Sequence, residues 1–522
     1  MGTPSGPRSG PEAAQDIADR YLARGSSFSS GLPGAWAAVI EDGASGRIVL
    51  AQDPLGIETI YFRKEVRELI VAAETLPLVA GSPPDAVCEE YFADLFAFGT
   101  PNRALTPFRD VRRLAHGETI LVDGAGEHRQ TPWHPETALP AGSANDLADR
   151  LRQLVDEAVA SAVGSGDSAL CELSGGLDSS TVFMAADRRC ENLQALTTVS
   201  SVATAAEDED FARIAGEATG RPWHRIDLDQ APLCSLAPFG RASEPDGEMR
   251  GAVQAAYASV VRETSPDVVL TGAAGDIVFG YGGLRPAHLA DAIGKGSPVT
   301  AWRNARRWSR NLDGARSALS LIRQTSLPLW QGYRDGVSLV HRGSQPAWLS
   351  QAFASRHRFA GRRRARAAPT VDRIGQQYLW DLIYELAGQA QPSFRRHLFA
   401  PSRHPLLHLP LVEFMLALPP DLRAVGADDR RLQRQALRDR LPEAIRTRYT
   451  KGTSQERSER DLMKSEPWWR AMTDDPRLVS RGWVDPVVWR RTIEGVRLGI
   501  YDGSLNLEAA MIAELWLRRL EE

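Results

Sequence analysis

The chain contains the segment Leu173-Ser174-Gly175-Gly176-Leu177-Asp178-Ser179-Ser180, which stands between a short apolar run and a stretch of helix-forming residues. A strand that passes through a glycine turn into a helix forms a cradle for phosphate. The glycines let the backbone approach an anion closely, and the helix N-terminus offers unpaired N–H groups. Asp178 adds a hard oxygen ligand of the kind that magnesium prefers. The segment therefore predicts a phosphate-binding loop, with an ordinary glycine turn into a helix as the alternative.

The residues after the glycines narrow the type of loop further. No Gly-Lys-Ser or Gly-Lys-Thr is present, so a Walker loop that transfers a γ-phosphoryl group is not indicated. The segment instead resembles the pyrophosphate loop of ATP pyrophosphatases, which cut ATP between the α and β phosphates. That resemblance implies that a carboxylate attacks the α-phosphorus, that pyrophosphate leaves, and that an amine captures the acyl-adenylate.

Composition limits the class of protein. At 522 residues the chain is long enough for two or three domains of roughly 100–200 residues each. A net charge of -4 gives no indication of a nucleic-acid partner, and no run of about 18 apolar residues predicts a membrane span. The start of the sequence lacks the apolar core of a secretory signal, and the cysteines are scattered without metal-ligand spacing. We therefore expect a cytoplasmic protein.

Two regions differ in their sequence patterns. Up to about residue 135 the chain reads as strands and short loops after a disordered start at residues 1–12, with a hairpin turn at 41–43. Proline and glycine then mark a linker, and beyond it strands alternate with helices before a mostly helical C-terminal part. This alternation predicts a parallel doubly wound sheet whose ligand lies at the carboxyl ends of the strands. The predicted domains are residues 1–140 and 141–522.

Two further residues carry predicted chemistry. Asp276 follows the strand that ends at Leu270, where a parallel strand would deliver a carboxylate into the ligand crevice. Asp178 and Asp276 together suit a magnesium ion, although an aspartate in a turn also bonds its own backbone. Lys451, one of only four lysines, precedes Gly452 on a predicted loop. Its mobile ammonium suits the leaving pyrophosphate or a developing oxyanion, and a surface lysine is the alternative.

Three dispersed motifs in order resemble asparagine-synthetase-like amide ligases. They are the loop at 174–180, the Gly-x-x-Gly-Asp segment at 272–276, and the tracts at 403–413 and 431–451. The resemblance implies an α/β fold: a degenerate Ntn glutaminase-like β-rich domain, then a doubly wound parallel-sheet ATP pyrophosphatase domain with a helical C-terminal part. Residues 36–39 and 53–61 resemble the glutaminase part. Because residue 2 is glycine where that family has its nucleophilic cysteine, glutamine is not expected as the nitrogen donor.

The resemblance also implies a set of site residues, with ATP and Mg²⁺ as cofactors. Catalytic roles fall to Lys451 and Arg431, the latter where the family often carries lysine, and metal binding falls to Asp178 and Asp276. The implied ATP and pyrophosphate residues are Leu173, Ser174, Gly175, Gly176, Leu177, Asp178, Ser179, Ser180, Val199 and Gly272. The implied substrate-pocket residues are Ala273, Glu385 and His404, and for Glu385 and His404 a purely structural role is the alternative.

Residue 273 favours one branch of the family. The β-lactam and carbapenam synthetase branch carries at this position the tyrosine of a Tyr–Glu dyad that deprotonates an amide, whereas asparagine synthetases carry glutamate. This chain has Ala273. An α-amine with a pKa near 8 needs less help to lose its proton, which favours the lasso peptide cyclase branch. That branch joins an Asp or Glu side chain of a precursor peptide to the peptide's own N-terminal amine.

The lasso interpretation implies particular partners. They are a precursor (core) peptide, a leader-binding protein and a leader peptidase, without nucleic acid, membrane or glutamine. The alternatives are a small-molecule β-lactam or carbapenam-type amide synthetase, an ammonia-dependent asparagine synthetase paralogue, and a non-catalytic scaffold that binds nucleotide or peptide.

Overall fold

The structure is a computed structural model, and it describes most of the chain. The described residues are 11–521 except 33, 67, 81–85, 132, 137, 139, 165, 202, 232–241, 246–250, 281–284, 295–296, 310–316, 341–342, 367, 388–399, 424–428, 451–454 and 501–504. Most of the predicted disordered start and the predicted catalytic Lys451 therefore lie outside the described residues. None of the described helices combines the length and the apolar character needed to cross a membrane.

The N-terminal domain consists of two antiparallel sheets and two helices. In chain order its elements are α1 (Pro11–Arg24), β1 (Ala37–Asp42), β2 (Arg47–Gln52), β3 (Tyr61–Lys64), β4 (Leu69–Ala72), α2 (Glu89–Phe98), β5 (Arg112–Arg113), β6 (Thr119–Asp123) and β7 (Gly126–Gln130). One sheet has the order β1-β2-β6-β7 and the other the order β4-β3-β5. Leu50 and Ile120 of the first sheet share a core with Phe62 of the second, so the two sheets pack face to face.

The predicted strands of this domain are present, but the expectation of strands and loops alone is wrong because α1 and α2 are helices. In α2 the buried residues run without interruption from Tyr91 to Phe98. A helix that is buried on all sides has no amphipathic period, and a short apolar run of this kind cannot be distinguished from a strand in the sequence.

A parallel sheet follows the linker. Its elements are α3 (Ala144–Ala162), β8 (Ala169–Glu172), α4 (Leu177–Asp187), β9 (Leu193–Val199), α5 (Ala203–Thr219), β10 (Trp223–Asp227), α6 (Gly251–Thr264), β11 (Val268–Leu270) and α7 (Gly275–Phe279). Helix α3 begins at a capping box in which the Ser143 hydroxyl and the Asp146 carboxylate satisfy each other's backbone N–H.

The order of the parallel strands creates a crevice. With β12 (Ser402–Arg403), the order is β10-β9-β8-β11-β12, and all neighbours are parallel. The chain winds outward in one direction from β8 and in the other direction from β11, so these two neighbours flank the topological switch point. The predicted α/β fold class with a doubly wound sheet is confirmed.

The rest of the chain is helical apart from β12. The helices are α8 (Arg285–Gly294), α9 (Pro298–Ser309), α10 (Ala318–Leu321), α11 (Leu327–Arg334), α12 (Gln351–Arg356), α13 (Ile374–Ala387), α14 (Leu409–Ala417), α15 (Pro420–Arg423), α16 (Arg431–Ala436), α17 (Glu443–Arg446), α18 (Gln455–Lys464), α19 (Glu466–Thr473), α20 (Arg477–Ser480), α21 (Pro486–Arg497) and α22 (Leu505–Glu521). A π-helical turn, Ile322–Ser326, joins α10 to α11.

The last helices return to the N-terminal domain. Phe92 of α2 lies 4.9 Å from the ring of Trp483 and 5.9 Å from that of Trp516 on α22, centroid to centroid. These residues belong to one core cluster that also includes Trp468 and Trp489. Large aromatic side chains bury much apolar surface each, so this cluster fixes the C-terminal helices on α2.

A turn of the N-terminal domain docks on the parallel-sheet domain. The buried Asp53 carboxylate accepts hydrogen bonds from the backbone N–H groups of Trp36, Leu55, Ile57 and Glu58 at 3.0–3.4 Å. Burial raises the pKa of Asp53 to about 7, although these four donors lower it. The turn that Asp53 organises places Leu55 and Ile57 in the main core of the sheet domain.

Gly56 completes this turn because no side chain fits there. Its φ is +61°, and a Cβ at this position would lie 2.2 Å from Cδ2 of His116. The His116 ring in turn packs against the ring of Tyr384 on α13, with centroids 4.1 Å apart. Burial lowers the pKa of His116 to about 3, so the imidazole is neutral in this contact. A left-handed glycine thus makes room for a ring that joins the two domains.

We expect Gly56→Ala to lower the unfolding midpoint by several degrees or more, because overpacking and backbone strain each cost about 1–3 kcal/mol. Gly43→Ala is the matched control, since a Cβ at Gly43 would meet no atom within 4 Å. Thermal unfolding followed by circular dichroism measures both variants. Equal midpoints for the two variants would contradict the docking role of this turn.

Candidate active site

The first glycine loop lies between β8 and α4. Gly175 has φ +72°, and a Cβ there would lie 2.5 Å from the Asp208 carbonyl oxygen and 2.6 Å from the Ala212 nitrogen on α5. Only glycine therefore allows the loop to lie against α5. Gly176 then caps α4, whose first backbone N–H groups face the crevice at the carboxyl end of β8.

Hydroxyl groups line this loop. The Ser174 and Ser179 hydroxyl oxygens lie 3.0 Å apart, and the Ser174 backbone N–H donates to Ser179 Oγ at 3.2 Å. Ser180 is fully buried, and among the described residues its hydroxyl has no hydrogen-bond partner. The helix N-terminus and the Ser174 and Ser179 hydroxyls thus lie together at the carboxyl end of β8, an arrangement that could bind phosphate.

The second glycine loop follows β11 and packs directly on the first. A Cβ at Gly272 would lie 2.6 Å from the Ser179 nitrogen, and one at Gly275 would lie 2.6 Å from Cβ of Asp178. Both distances are below the approach that any real Cβ atom makes, so both positions require glycine. Helix α7 begins at Gly275 and has Asp276 in its first turn, where the Asp276 carboxylate accepts from the Ile277 N–H at 3.1 Å.

These two loops and a C-terminal segment enclose a cavity of about 220 Å³. Its described lining residues are Glu172, Ser174, Gly176, Leu177, Asp178, Ser179, Gly272, Ala273, Asp429, Arg430, Arg434, Arg448, Tyr449 and Thr450. The structure therefore brings together most of the predicted phosphate loop with Gly272 and Ala273. Gly175 supports the loop from behind, and Leu173 and Ser180 are buried beside it.

The Asp178 carboxylate is paired with two side chains of the C-terminal segment. Arg430 donates to its Oδ2 at 3.0 Å, and Gln433 donates to its Oδ1 at 3.2 Å. Both charged side chains are nearly buried, at 11% exposure for Arg430 and 13% for Asp178. The pair holds the carboxylate at the cavity wall in a fixed orientation.

Two more arginines border the cavity. Arg448 donates to the Asp208 carboxylate at 2.5 Å and to the Gly175 carbonyl at 3.4 Å, so it connects the phosphate loop to α5. The guanidinium of Arg434 lies 4.0 Å from the centroid of the Tyr449 ring. Guanidinium groups held by packing in this way are suited to phosphate oxygens.

Sequence reasoning selected Arg431 and assigned no role to Arg430 or Arg434. Arg431 is exposed, and the described residues that wall the cavity include its neighbour Arg430 instead. The reason is the backbone of Arg430, which has a left-handed φ of +52° just before α16. In the sequence, the signal for an arginine at this site was the pair Arg430-Arg431 at the start of a helix. The pair alone does not indicate which of the two side chains faces the cavity.

Several predicted residues lie elsewhere. The described lining residues do not include Asp276 or Val199, and Val199 is buried at the end of β9, where its carbonyl accepts from the Leu228 N–H at 2.9 Å. Glu172 was missed by sequence reasoning, although it lines the cavity at the end of β8. Its Oε1 accepts from the Tyr257 hydroxyl at 2.6 Å. Its position directly before the glycine loop was the available signal.

His404 connects this site to a second cavity. Its Nδ1 lies 2.7 Å from the Thr271 hydroxyl, which also accepts from the Ala273 N–H at 3.2 Å. His404 lines a cavity of about 180 Å³ that α1, Trp36, α3 and residues 403–408 enclose. Thr271 therefore connects His404 to Ala273 at the first cavity. His404 also lines the second cavity, which the N-terminal domain helps to enclose.

Glu385 lies in a buried ion-pair cluster. Its carboxylate is 3.8 Å from Arg103 and 3.6 Å from Arg364, and its carbonyl accepts from Arg103 at 2.9 Å. Arg364 belongs to the Arg-rich stretch Arg362-Arg363-Arg364. Both Arg362 and Arg364 pair with Asp94 on α2. Glu385 therefore lies in this ion-pair cluster and is not among the described residues that line the cavity.

The donor set at the cavity fits magnesium through Asp178. Among the described residues no group of three or more His, Cys, Asp or Glu side chains could hold a metal ion. Magnesium does not need such a group, because it is commonly held by one or two carboxylates together with substrate phosphates. Asp178 offers hard oxygens at the cavity wall beside the cradle for phosphate, and Arg430 and Gln433 would have to share that carboxylate with the ion.

Comparison with known proteins agrees with this architecture. A family model described as "Asparagine synthase" matches residues 150–518, and one described as "Glutamine amidotransferase domain" matches residues 14–134. Two curated fungal proteins are similar to part of the chain: Amidase chyE of Penicillium rubens, 25% identical over 293 residues, and Amidase chry2 of Gibberella zeae, 23% identical over 295 residues. Each alignment covers 52% of this chain and 43% of the relative, so the chain spans less than half the length of these curated relatives.

Two solved structures also match at low identity. One is described as the allosteric regulatory enzyme of purine biosynthesis, with 12% identity and a TM-score of 0.17 over 49% of this chain and 61% of that chain. The other is glutamine phosphoribosylpyrophosphate amidotransferase from B. subtilis, with 11% identity and a TM-score of 0.17 over 50% of this chain and 64% of that chain.

We expect Arg430→Ala to reduce ATP–pyrophosphate exchange by at least about tenfold, because it removes a guanidinium from the cavity and deprives Asp178 of this counter-ion. Arg431→Ala, one residue away and exposed, is the matched control and should retain nearly full exchange. Radiolabelled pyrophosphate incorporation into ATP measures both. A larger loss for Arg431→Ala than for Arg430→Ala would reverse this assignment of the two arginines.

We expect Gly272→Ala to reduce exchange by at least about a hundredfold, since its Cβ would force the two glycine loops apart and a misplacement of about 1 Å can cost that much. Gly216→Ala on α5 serves as control, because a Cβ there would meet no atom within 4 Å. Exchange rates and circular dichroism spectra are compared. Normal exchange by folded Gly272→Ala would show that close loop packing is not required.

Proposed function

The chain belongs to the asparagine synthase family, and we propose that it activates a carboxylate with ATP and joins it to an amine. Members of this family are ATP-dependent amide ligases that generally use Mg²⁺. The observation that carries the proposal is the cavity between two interlocked glycine loops at the switch point of the sheet. In open parallel sheets a ligand binds at this place, beyond the carboxyl ends of the strands.

The described residues support a division of roles. The N-terminus of α4 and the hydroxyls of Ser174 and Ser179 bind phosphate oxygens, since both supply donors toward the cavity. Arg430, Arg434 and Arg448 stabilise the charge of the departing pyrophosphate. Asp178 would hold a magnesium ion, which supplies electrostatic stabilisation of that charge when bound. The products of this step are the acyl-adenylate and pyrophosphate.

Lys451 completes the proposed set. It follows the lining residues Tyr449 and Thr450 directly in the sequence, and this adjacency in the chain is what supports its role. We assign to it the stabilisation of the pyrophosphate or of the oxyanion that forms when the amine attacks. We propose that Asp276 shares the magnesium ion with Asp178, although of the two only Asp178 is among the described residues that line the cavity.

Within the family we propose lasso peptide macrolactam formation. The acceptor side of the cavity carries Ala273, whose methyl group offers no proton acceptor and whose N–H bonds Thr271. An amine with a pKa near 8 is therefore the most suitable nucleophile. The N-terminus of a peptide is such an amine, and an Asp or Glu side chain of the same peptide would be the adenylated carboxylate. The fungal relatives are named amidases, a name that also concerns amide bonds.

A peptide substrate must be both folded and delivered for this reaction. Closing a ring of several residues costs conformational entropy, so the peptide must be held in a folded form during the reaction. We accordingly propose that a leader-binding protein and a leader peptidase deliver the core peptide with a free N-terminus. His404 contacts Thr271, and Thr271 contacts Ala273. We propose that His404 and the cavity that it lines contact the N-terminal amine end of the peptide.

We expect the protein, ATP and Mg²⁺, with the partner proteins, to convert a leader-processed precursor into a product lighter by one water, with release of AMP and pyrophosphate. A free N-terminus and an internal Asp or Glu should both be required, because they are the amine and the carboxylate. Mass spectrometry of the peptide measures the change. Asp178→Asn serves as the inactive control, and its exchange rate should fall at least about a hundredfold.

The same experiment decides between the alternatives. If the peptide stays linear while a small β-amino acid derivative is cyclised, a β-lactam type of synthetase is indicated. Conversion of aspartate and ammonia to asparagine would indicate an asparagine synthetase paralogue. Binding without any turnover would indicate a scaffold.

A further inference from the structure

The N-terminal domain binds a carboxylate that comes from the sheet domain. Glu244 belongs to residues 242–245, which stand between β10 and α6 in the sequence. Its Oε1 accepts from the Tyr61 hydroxyl at 2.7 Å and from Arg113, and its Oε2 accepts from the Tyr91 hydroxyl at 3.4 Å. Both oxygens therefore have donors, and the side chain is only 13% exposed.

The three donors all belong to the N-terminal domain. Tyr61 lies on β3, Arg113 on β5 and Tyr91 on α2, and each is buried. The guanidinium of Arg113 also packs over the Tyr61 ring, 5.5 Å from its centroid. We call these three residues the carboxylate cage. The cage is thus complete within one domain, whereas its occupant comes from another.

The neighbours of Glu244 are held as well. The Thr75 hydroxyl donates to the Ser243 carbonyl at 2.7 Å, and the Trp516 indole N–H donates to the Ala242 carbonyl at 2.8 Å. Because Thr75 belongs to the N-terminal domain and Trp516 lies on α22, these two contacts together join three parts of the chain: the N-terminal domain, the segment 242–245 and the C-terminal helix.

The electrostatics favour an ionised occupant. Although burial raises the pKa of the Glu244 carboxyl, the charge of Arg113 and the hydrogen bonds from Arg113 and Tyr61 lower it more, so its pKa lies below its usual value. Arg103, also buried, is close enough to contribute to this effect. An empty cage would leave the Arg113 guanidinium buried without its counter-ion, which is unfavourable.

We propose that the cage is a carboxylate-binding site of the N-terminal domain and that Glu244 occupies it as an intramolecular ligand. In this position Glu244 fastens the sheet domain and α22 to the N-terminal domain and excludes carboxylates from solution. The ligand class is a small monocarboxylate with the shape of a glutamyl side chain. This inference does not depend on the proposed ligase activity.

The test is chemical rescue of the full-length chain. Glu244→Ala keeps the cage and removes the carboxylate, so propionate should bind in its place. We expect a lower unfolding midpoint for this variant, restored by several degrees with millimolar propionate but not with propionamide or with chloride of equal ionic strength. Wild type and Glu263→Ala, which changes an exposed glutamate on α6, should not respond. Calorimetry should detect propionate binding to Glu244→Ala alone.

A second variant tests the place of binding. Glu244→Ala combined with Arg113→Ala should lose the response to propionate, because the cation of the cage is gone. If Glu244→Ala does not fold by itself, its refolding yield in propionate is compared with that in chloride, and a higher yield in propionate supports the proposal. An equal yield, an equal response of wild type, or a retained response of the double variant overturns it.

Discussion

The structure depends on one packing constraint, the close contact between the loops that follow β8 and β11. Gly272 and Gly275 lie so near to Ser179 and Asp178 that any Cβ would overlap them. Since the chain leaves these two strands in opposite directions, a crevice opens between their carboxyl ends. Because these glycines allow close packing, the crevice is narrow. The loop after β8 lines it with hydroxyl groups, and the loop after β11 lines it with backbone.

Charge in this crevice is arranged around the same contact. Asp178 is paired with Arg430 and Gln433, and Arg448 joins the phosphate loop to α5 through Asp208. A nearly buried carboxylate and guanidinium are costly to separate, so their pairing keeps both side chains in place at the cavity wall. The groups to which we assign roles in the reaction therefore also hold one another in position.

The N-terminal domain is joined to the rest of the molecule by three different kinds of interaction. The turn at Asp53 and Gly56 places apolar side chains in the main core, α2 shares an aromatic core with the C-terminal helices, and Glu244 supplies a buried charge. Apolar burial gives these contacts most of their stability, whereas hydrogen-bonded charges fix their geometry. This extensive docking makes the region that matches a glutamine amidotransferase domain an integral part of the fold.

The sequence by itself determined the parallel sheet, the phosphate loop and the glycine segment after β11, because strand alternation and glycine spacing are local patterns that arise directly from backbone geometry. It also indicated Asp178 and Ala273, both of which line the cavity. Only the tertiary structure decided that Arg430 faces Asp178 while Arg431 is exposed, since a single left-handed residue sets that direction. It likewise placed Glu385 among buried arginines and Glu244 in the carboxylate cage. These contacts join residues more than 130 positions apart, and no local pattern encodes such distances.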